Sequence, residues 1–151
     1  MADPINIRFA HPADLDGCLA LDHATVPAEI VKLKITAREI VVAEKAGQLV
    51  GYLRLEYLWS LVPYIALIWV VADQRRQGIG KALLHYLENA LLDGGHAALY
   101  SSSQADETEP QAWHRHVGFR ECGIIAGINE GGVGEIFFRK ELSCHLGQEG
   151  G

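Results

Sequence analysis

The sequence predicts a mixed α+β (α/β) domain: a central mixed sheet with helices on its faces. Three observations predict it. Apolar runs of strand length alternate with longer segments whose apolar residues recur at helical spacing. A hairpin signal, 46-AGQ-48, joins two of the strands, which a purely doubly wound sheet would lack. One run, VPYIALIWVV ending at Val71, is apolar throughout, as in a strand covered on both faces.

The elements follow in order. Residues 5-INIRFA-10 predict a first strand. In 12-PADLDGCLALDHA-24, Leu15, Cys18, Leu19 and Leu21 lie near helical spacing, and Pro12 suits a first turn. Residues 25–38, with EIVKLKI, read equally as a second helix or an ordered loop. Strands follow at 40-IVVAEK-45 and 49-LVGYLRLEYL-58, then the apolar run. In 79–92, Ile79, Leu83, Leu87 and Leu91 recur every fourth residue, and Gly94-Gly95 ends that helix. A strand at 97-AALYSS-102 precedes a turn and helix in 104-QADETEPQAWHRHV-117, where Thr108 and Gln111 fit a capping box. Two last strands, 118-GFRECGII-125 and 134-GEIFFRKEL-142, flank the glycine-rich 127-GINEGGV-133.

The chain has 151 residues, the size of one domain, expected over 1–142 with a disordered tail at 143–151. Its net charge is −6 and its pI about 5.6, which argues against a nucleic-acid binder. The three cysteines, Cys18, Cys122 and Cys144, form no CxxC pair, so no metal site or disulfide framework is expected. The N-terminus has no apolar signal core. The longest apolar run, about ten residues, is short of the ~20 a membrane helix needs. The expectation is a cytoplasmic protein with no membrane contact.

The stretch 74-QRRQGIGKALL-84 opens the long helix straight after the apolar strand. It is not a Walker A loop, because positions 75 and 82 hold Arg and Ala where Gly and Ser or Thr are required. It is not a dinucleotide fingerprint, because position 83 is Leu. What remains, Arg75, Gly78 and Gly80, still suits an anion. Glycines let the backbone approach it, first-turn N–H groups point at it, and the helix dipole attracts it. Arg75, Arg76 and Lys81 add positive charge. A tight turn with a solvated basic corner has the same local pattern.

The context 68-IWVVADQRRQGIGKALL-84 resembles the acetyl-CoA-binding motif of the GCN5-related N-acetyltransferases, [QR]-x-x-G-x-[GA] after a strand ending in Val. The opening IRFAHPADLDGC is similar to that family's first strand and helix, and WHRHVGF at 113–119 to its late helix-to-strand signature. The resemblance spans about 5–142. It implies a largely antiparallel sheet splayed between strands 4 and 5, helices on both faces, and acetyl-CoA as cosubstrate without a metal. It implies that Arg75, Arg76, Gln77, Gly78, Ile79, Gly80 and Lys81 cradle the pyrophosphate. Ile68, Trp69 and Val70 would pair with the pantetheine arm as an added strand. The implied acceptor is a primary amine of a small molecule or peptide, and family members are often homodimers.

Acyl transfer to an amine needs a neutral nucleophile, although an alkyl ammonium has a pKa near ~10.4. It also needs an oxyanion donor, which the Val70 N–H can supply, and an easier departure for the thiolate. The family's usual acid is a Tyr whose place here is taken by His114, which can donate as imidazolium. His116, Tyr100, Tyr64 and Cys122 are further candidates. The family's Glu on the strand before the loop has no counterpart in Tyr64–Trp69, so Glu56, Glu135 and Glu130 are the candidate bases. The Asn the family carries after the fifth strand falls near Glu107, with Gln104 and Ser101–Ser103 close by. The acceptor walls implied are 23–38, with His23, Glu29, Lys32 and Lys34, and 126–134, with Asn129 and Glu130. A non-catalytic acyl-CoA-binding module on the same fold is the competing expectation.

Overall fold

In the computed structural model, which describes residues 3–143, every expected strand and helix forms. The tail expectation for 144–151, and Cys144 with it, lies outside the described residues. The strands are β1 (Ile5–Phe9), β2 (Ile40–Lys45), β3 (Gln48–Leu58), β4 (Val62–Val70), β5 (Ala98–Gln104), β6 (Arg120–Ile125) and β7 (Glu135–Glu141). The helices are α1 (Leu15–Asp22), α2 (Ala28–Thr36), α3 (Ile79–Asp93) and α4 (Thr108–His116). The strand order is β1-β2-β3-β4-β5-β7-β6. Neighbours β1–β2, β2–β3, β5–β7 and β6–β7 are antiparallel, while β4 and β5 run parallel with Tyr64 opposite Tyr100. The chain divides into two compact units, residues 1–56 with 66–90, and 57–65 with 91–151.

The first unit is built on the β2–β3 hairpin. Its turn places Ala46 and Gly47 at φ 51° and 79°, the paired left-handed geometry that matches strand twist in a two-residue loop. Alternation then divides the hairpin's side chains. Ile40, Val42 and Tyr52 join Cys18 and Leu21 of α1 and Val31 and Ile35 of α2 in one apolar cluster. The ambiguous 25–38 segment is helical because its buried residues, Val31 and Ile35, are four apart, whereas Leu33 is 66% exposed. On the hairpin's other face lies Gly51. A Cβ there would meet Ala43 Cβ and Ile79 Cγ2 at 3.0 Å and Leu83 Cδ1 at 3.1 Å, so α3 seats its first turns where a side chain is missing. Each buried Leu of α3 contributes roughly 1.5–3 kcal/mol.

A buried polar network ties α1 to β3. Asp22, fully buried, accepts from Tyr52 Oη at 2.6 Å, Arg54 Nε at 2.8 Å and the Thr25 hydroxyl. Burial alone would raise its carboxyl pKa. The hydrogen bonds from Thr25, Tyr52 and Arg54 outweigh burial and hold it below the ordinary carboxylate value.

In the second unit, β5, β7 and β6 carry α4. Register places Ser101 opposite Phe138 and Ser102 opposite Phe137, so the two serines lie on opposite faces. The expected capping box at Thr108 does not form. Helix α4 starts one residue earlier in its cap, at Glu107, with no side-chain cap bond. Gln111 instead donates to the carbonyls of Gln104 and Ala105 at 3.1 Å.

Candidate active site

Strand β4 stops at Val70, whose neighbour Val71 still donates to Val50 O at 2.9 Å. A single 3₁₀ turn, Ala72–Gln74, follows, and Lys45 Nζ holds Gln74 Oε1 at 3.0 Å. The chain then turns through Arg76 at φ 64° and Gly78 at φ 81°. The Gly78 carbonyl accepts from Ala82 N at 3.0 Å, which starts the ladder of α3. The first-turn N–H groups that follow have no intrahelical acceptor. Arg76, Gln77, Gly78 and Lys81 are exposed, Gly80 is half-buried, and Ile79 is buried against the hairpin. Nothing lies within 4 Å of a Cβ built on Gly78. The result is an open turn at a helix N-terminus, whose N–H groups suit an anionic ligand.

The Arg75 side chain turns back to β4. Its Nε donates to the Val70 carbonyl at 2.8 Å, and its guanidinium lies 4.5 Å from the Trp69 ring centre. His23, from the α1–α2 connection, meets the same indole edge-to-face at 4.7 Å. Trp69 thus sits between Arg75 and the α1–α2 connection. The connection itself is bent sharply, with His23 and Ala24 at φ 57° and 56°.

His114 is found where a structural ring belongs. It is 3% exposed and stacks on Phe138, with ring centres 4.6 Å apart and planes 5° apart. Its Nδ1 lies 2.7 Å from the Pro110 carbonyl, which can only accept, so Nδ1 carries the hydrogen. Nε2 then accepts from Ser101 Oγ at 2.7 Å. Burial lowers its pKa, outweighing the Pro110 bond. Both ring nitrogens are therefore engaged inside the protein, Nδ1–H with Pro110 and Nε2 with Ser101. His116 is exposed on the next face of α4.

The candidate bases differ. Glu56 is ion-paired to Lys34 at 3.1 Å and to Arg54 at 3.0 Å, which commits it to the Asp22 network. Glu130 is exposed in the β6–β7 connection. Glu135, half-buried, accepts from Ser102 Oγ at one oxygen and from Asn129 Nδ2 at 2.9 Å at the other. Ser102 in turn lies 2.6 Å from Tyr64 Oη. Tyr100 receives Arg139 Nε at 3.2 Å, and Cys122 is an exposed thiol whose pKa burial of its sulfur raises. Glu135 and His114 are therefore on opposite faces of β5 and β7: the sheet does not bring the expected acid and base together. The part played by Ser101 and Ser102 was not singled out from sequence. Three consecutive serines on a strand were the available signal, since alternation must send hydroxyls to both faces. Among the described residues, no cluster of three or more His, Cys, Asp and Glu side chains could hold a metal.

Helix α3 lies between β4 and β5 in the chain, the crossover that a parallel strand pair requires. Residues 14–119, more than half of the chain, match the Acetyltransferase (GNAT) family. The chain belongs to that family. No curated protein matches it. Among solved structures, it is similar to a ribosomal-protein-alanine N-acetyltransferase from Brucella melitensis: 26% identity, TM-score 0.77, covering 91% of this chain and 99% of that one. A GNAT-family acetyltransferase from Bacillus cereus is 21% identical with a TM-score of 0.78, over 93% and 99% of the two chains. The Salmonella typhimurium protein yncA, solved with its cofactor acetyl-CoA, is 18% identical with a TM-score of 0.79, over 94% and 96%.

Proposed function

We propose that the protein is an acetyl-CoA-dependent N-acetyltransferase that moves the acetyl group directly to a primary amine. The observation that carries this reading is the open turn Arg76–Gly78 leading into the first turn of α3. In it, the backbone N–H groups of Arg76, Gln77, Gly78, Ile79, Gly80 and Lys81 cradle the pyrophosphate of coenzyme A. Residues Ile68, Trp69 and Val70 pair with the pantetheine arm, and the Val70 N–H stabilises the oxyanion. Arg75 acts from the strand side, through Trp69 and the Val70 carbonyl. His114 orders β5 through Ser101 rather than donating a proton. Glu56 supports the α1–β3 network.

The acceptor class is a peptide α-amine. The support is the Brucella melitensis protein, whose name gives alanine of a ribosomal protein as its acceptor. The reaction takes place in the cytoplasm on this reading.

The test has two parts. Thermal melting with acetyl-CoA and with free CoA reads binding, because a ligand held only by the folded state raises Tm. Thiol release is then followed with an alanine-initiated peptide, a lysine-containing peptide, spermidine and benzylamine. Stabilisation by acetyl-CoA and turnover of the alanine peptide are expected. No stabilisation at millimolar ligand overturns the cofactor reading. Stabilisation with no turnover of any amine favours a non-catalytic acyl-CoA-binding module.

A further inference from the structure

We propose that Arg75 is a specificity-determining residue that makes the site select the phosphate-bearing coenzyme over a bare pantetheine thioester. Its Nε–H holds the Val70 carbonyl until an amide N–H of the pantetheine arm takes that carbonyl, and its guanidinium then moves to the pyrophosphate. This deepens the acetyltransferase reading above and rests on it.

The end of β4 presents its backbone groups in a fixed direction. The Val71 N–H donates to Val50 O at 2.9 Å, so Val71 faces β3. Successive strand residues turn their backbone groups to alternate edges, so the N–H and C=O of Val70 both point away from β3. A strand edge offers such a pair to an incoming strand, and an extended amide chain can take it. Here Arg75 Nε already donates to the carbonyl half, at 2.8 Å. A side chain five residues on thus stands in for a neighbouring strand.

The same side chain can swing away. Arg75 is exposed, and among the described residues Nε is its one hydrogen-bonded nitrogen. Its guanidinium lies 4.5 Å from the Trp69 ring centre. Stacking uses the flat face of the group and leaves its N–H edge for an oxyanion, which Arg binds bidentately. The platform itself is anchored. Trp69 packs against the apolar cluster of α1, α2 and the β2–β3 hairpin, and it takes the His23 ring edge-to-face at 4.7 Å. The backbone on both sides of Arg75 is pinned as well. Lys45 Nζ holds Gln74 Oε1 at 3.0 Å, and Ala82 N donates to the Gly78 carbonyl at 3.0 Å. The exchange is therefore a swing of one side chain, with the turn in place.

Charge decides where the guanidinium goes. The other charged groups of the turn are Asp73, Arg76 and Lys81, all exposed. With Arg75 they make the turn net positive, at the start of α3, where the helix dipole also favours an anion. In the exchange Arg75 gives up a carbonyl and gains a phosphate, while the Val70 carbonyl keeps a donor from the arm. Neither partner is left unpaired. A bare pantetheine thioester supplies the amide but no phosphate. It must displace Arg75 with only water to receive the guanidinium, so Arg75 selects against it.

The experiment measures Kd by calorimetric and NMR titration for acetyl-CoA, S-acetylpantetheine and inorganic pyrophosphate. The proteins are wild type, Arg75→Met and Arg75→Lys, each also melted without ligand. Arg75→Met keeps an apolar stem over Trp69 and removes every donor. It should lose about tenfold in affinity for acetyl-CoA and gain about threefold for S-acetylpantetheine. Arg75→Lys keeps the charge and should hold pyrophosphate more tightly than Arg75→Met does. In nitrogen-labelled wild type the Arg75 Nε–H resonance should move on adding acetyl-CoA, as its acceptor changes from carbonyl to phosphate.

Equal losses for acetyl-CoA and S-acetylpantetheine in Arg75→Met mean a fixed cap on the strand end and overturn the exchange. Any other result without a gain for S-acetylpantetheine, including no binding of it to either protein, overturns it too. An unmoved Nε–H resonance in wild type saturated with acetyl-CoA overturns it whatever the variants do. Wild type that binds no acetyl-CoA overturns the coenzyme reading itself, and the exchange with it.

Discussion

The imidazole of His114 lies flat on the Phe138 ring, 5° from parallel and 4.6 Å between centres, with Ser101 and Pro110 at its two nitrogens. The stack joins α4 to β7, and protonation would put a charge in a buried site and reverse the Ser101 bond. The folded state therefore resists protonation, and the His114 pKa is lowered, burial being the main cause. The unfolded chain binds that proton near pH ~6.5. Stability from this residue is thus complete above about pH 6.5 and declines as pH falls below it towards the lowered folded value. Tm measured from pH 8 to 5 should fall in this window. His114→Gln should be less stable at pH 8 and should flatten the slope. An unchanged slope would remove the assigned tautomer.

Asp22 gives a second pH window on the acid side. Its folded pKa is depressed, so its contribution is complete above the ordinary carboxylate value and is lost as pH falls below about 3.9. Asp22→Ala leaves Arg54 Nε and Tyr52 Oη buried without their acceptor. A cost of about 3–5 kcal/mol is expected, measured by urea denaturation at pH 7. Asp22→Asn keeps the volume and part of the bonding and should cost less.

Gly78 is a backbone requirement rather than a space requirement. Its φ is 81° and nothing would touch a Cβ there. Gly78→Ala should cost roughly 1 kcal/mol of stability through the left-handed conformation alone. The affinity for acetyl-CoA should fall more than stability does, since the cradle's N–H directions move. Isothermal titration calorimetry beside thermal melting separates the two.

Gly51 is the opposite case, since its φ is ordinary and its surroundings are full. In Gly51→Ala the new methyl must displace Ala43, Ile79 and Leu83 by a few tenths of an ångström. About 1 kcal/mol of destabilisation is expected, and Gly51→Val should lose about 3 kcal/mol. Because Ile79 and Leu83 belong to the first turns of α3, acetyl-CoA affinity should fall in the same order.

The strands and helices were legible because their periodicities are strong. The β2 bounds match the sequence reading residue for residue, and α3 differs by one residue at its end. The turn into α3 was legible because Gly78 and Gly80 follow an apolar strand. The α2 segment was not, because Val31, Leu33 and Ile35 alternate like a strand, and only packing decides that 33 faces out. The capping box was misread because Gln111 spends its amide as a donor to the Gln104 and Ala105 carbonyls, a contact its sequence position does not show. His114 was visible as a substitution in a motif, but its tautomer depends on Ser101 and Pro110. Likewise Tyr64, Ser102 and Glu135 are far apart in sequence, and only the register of β4, β5 and β7 brings them together.

Trp69 makes the molecule its own optical probe. The indole is held edge-on by His23 and under the Arg75 guanidinium, so its emission depends on both the α1–α2 connection and the start of the cradle. Trp59, at 83% exposure, already emits as a solvated indole, so spectral change on adding a ligand comes from residues that start out shielded. A replacement of Trp69 by Phe would then show how much of that signal belongs to Trp69 rather than to half-buried Trp113.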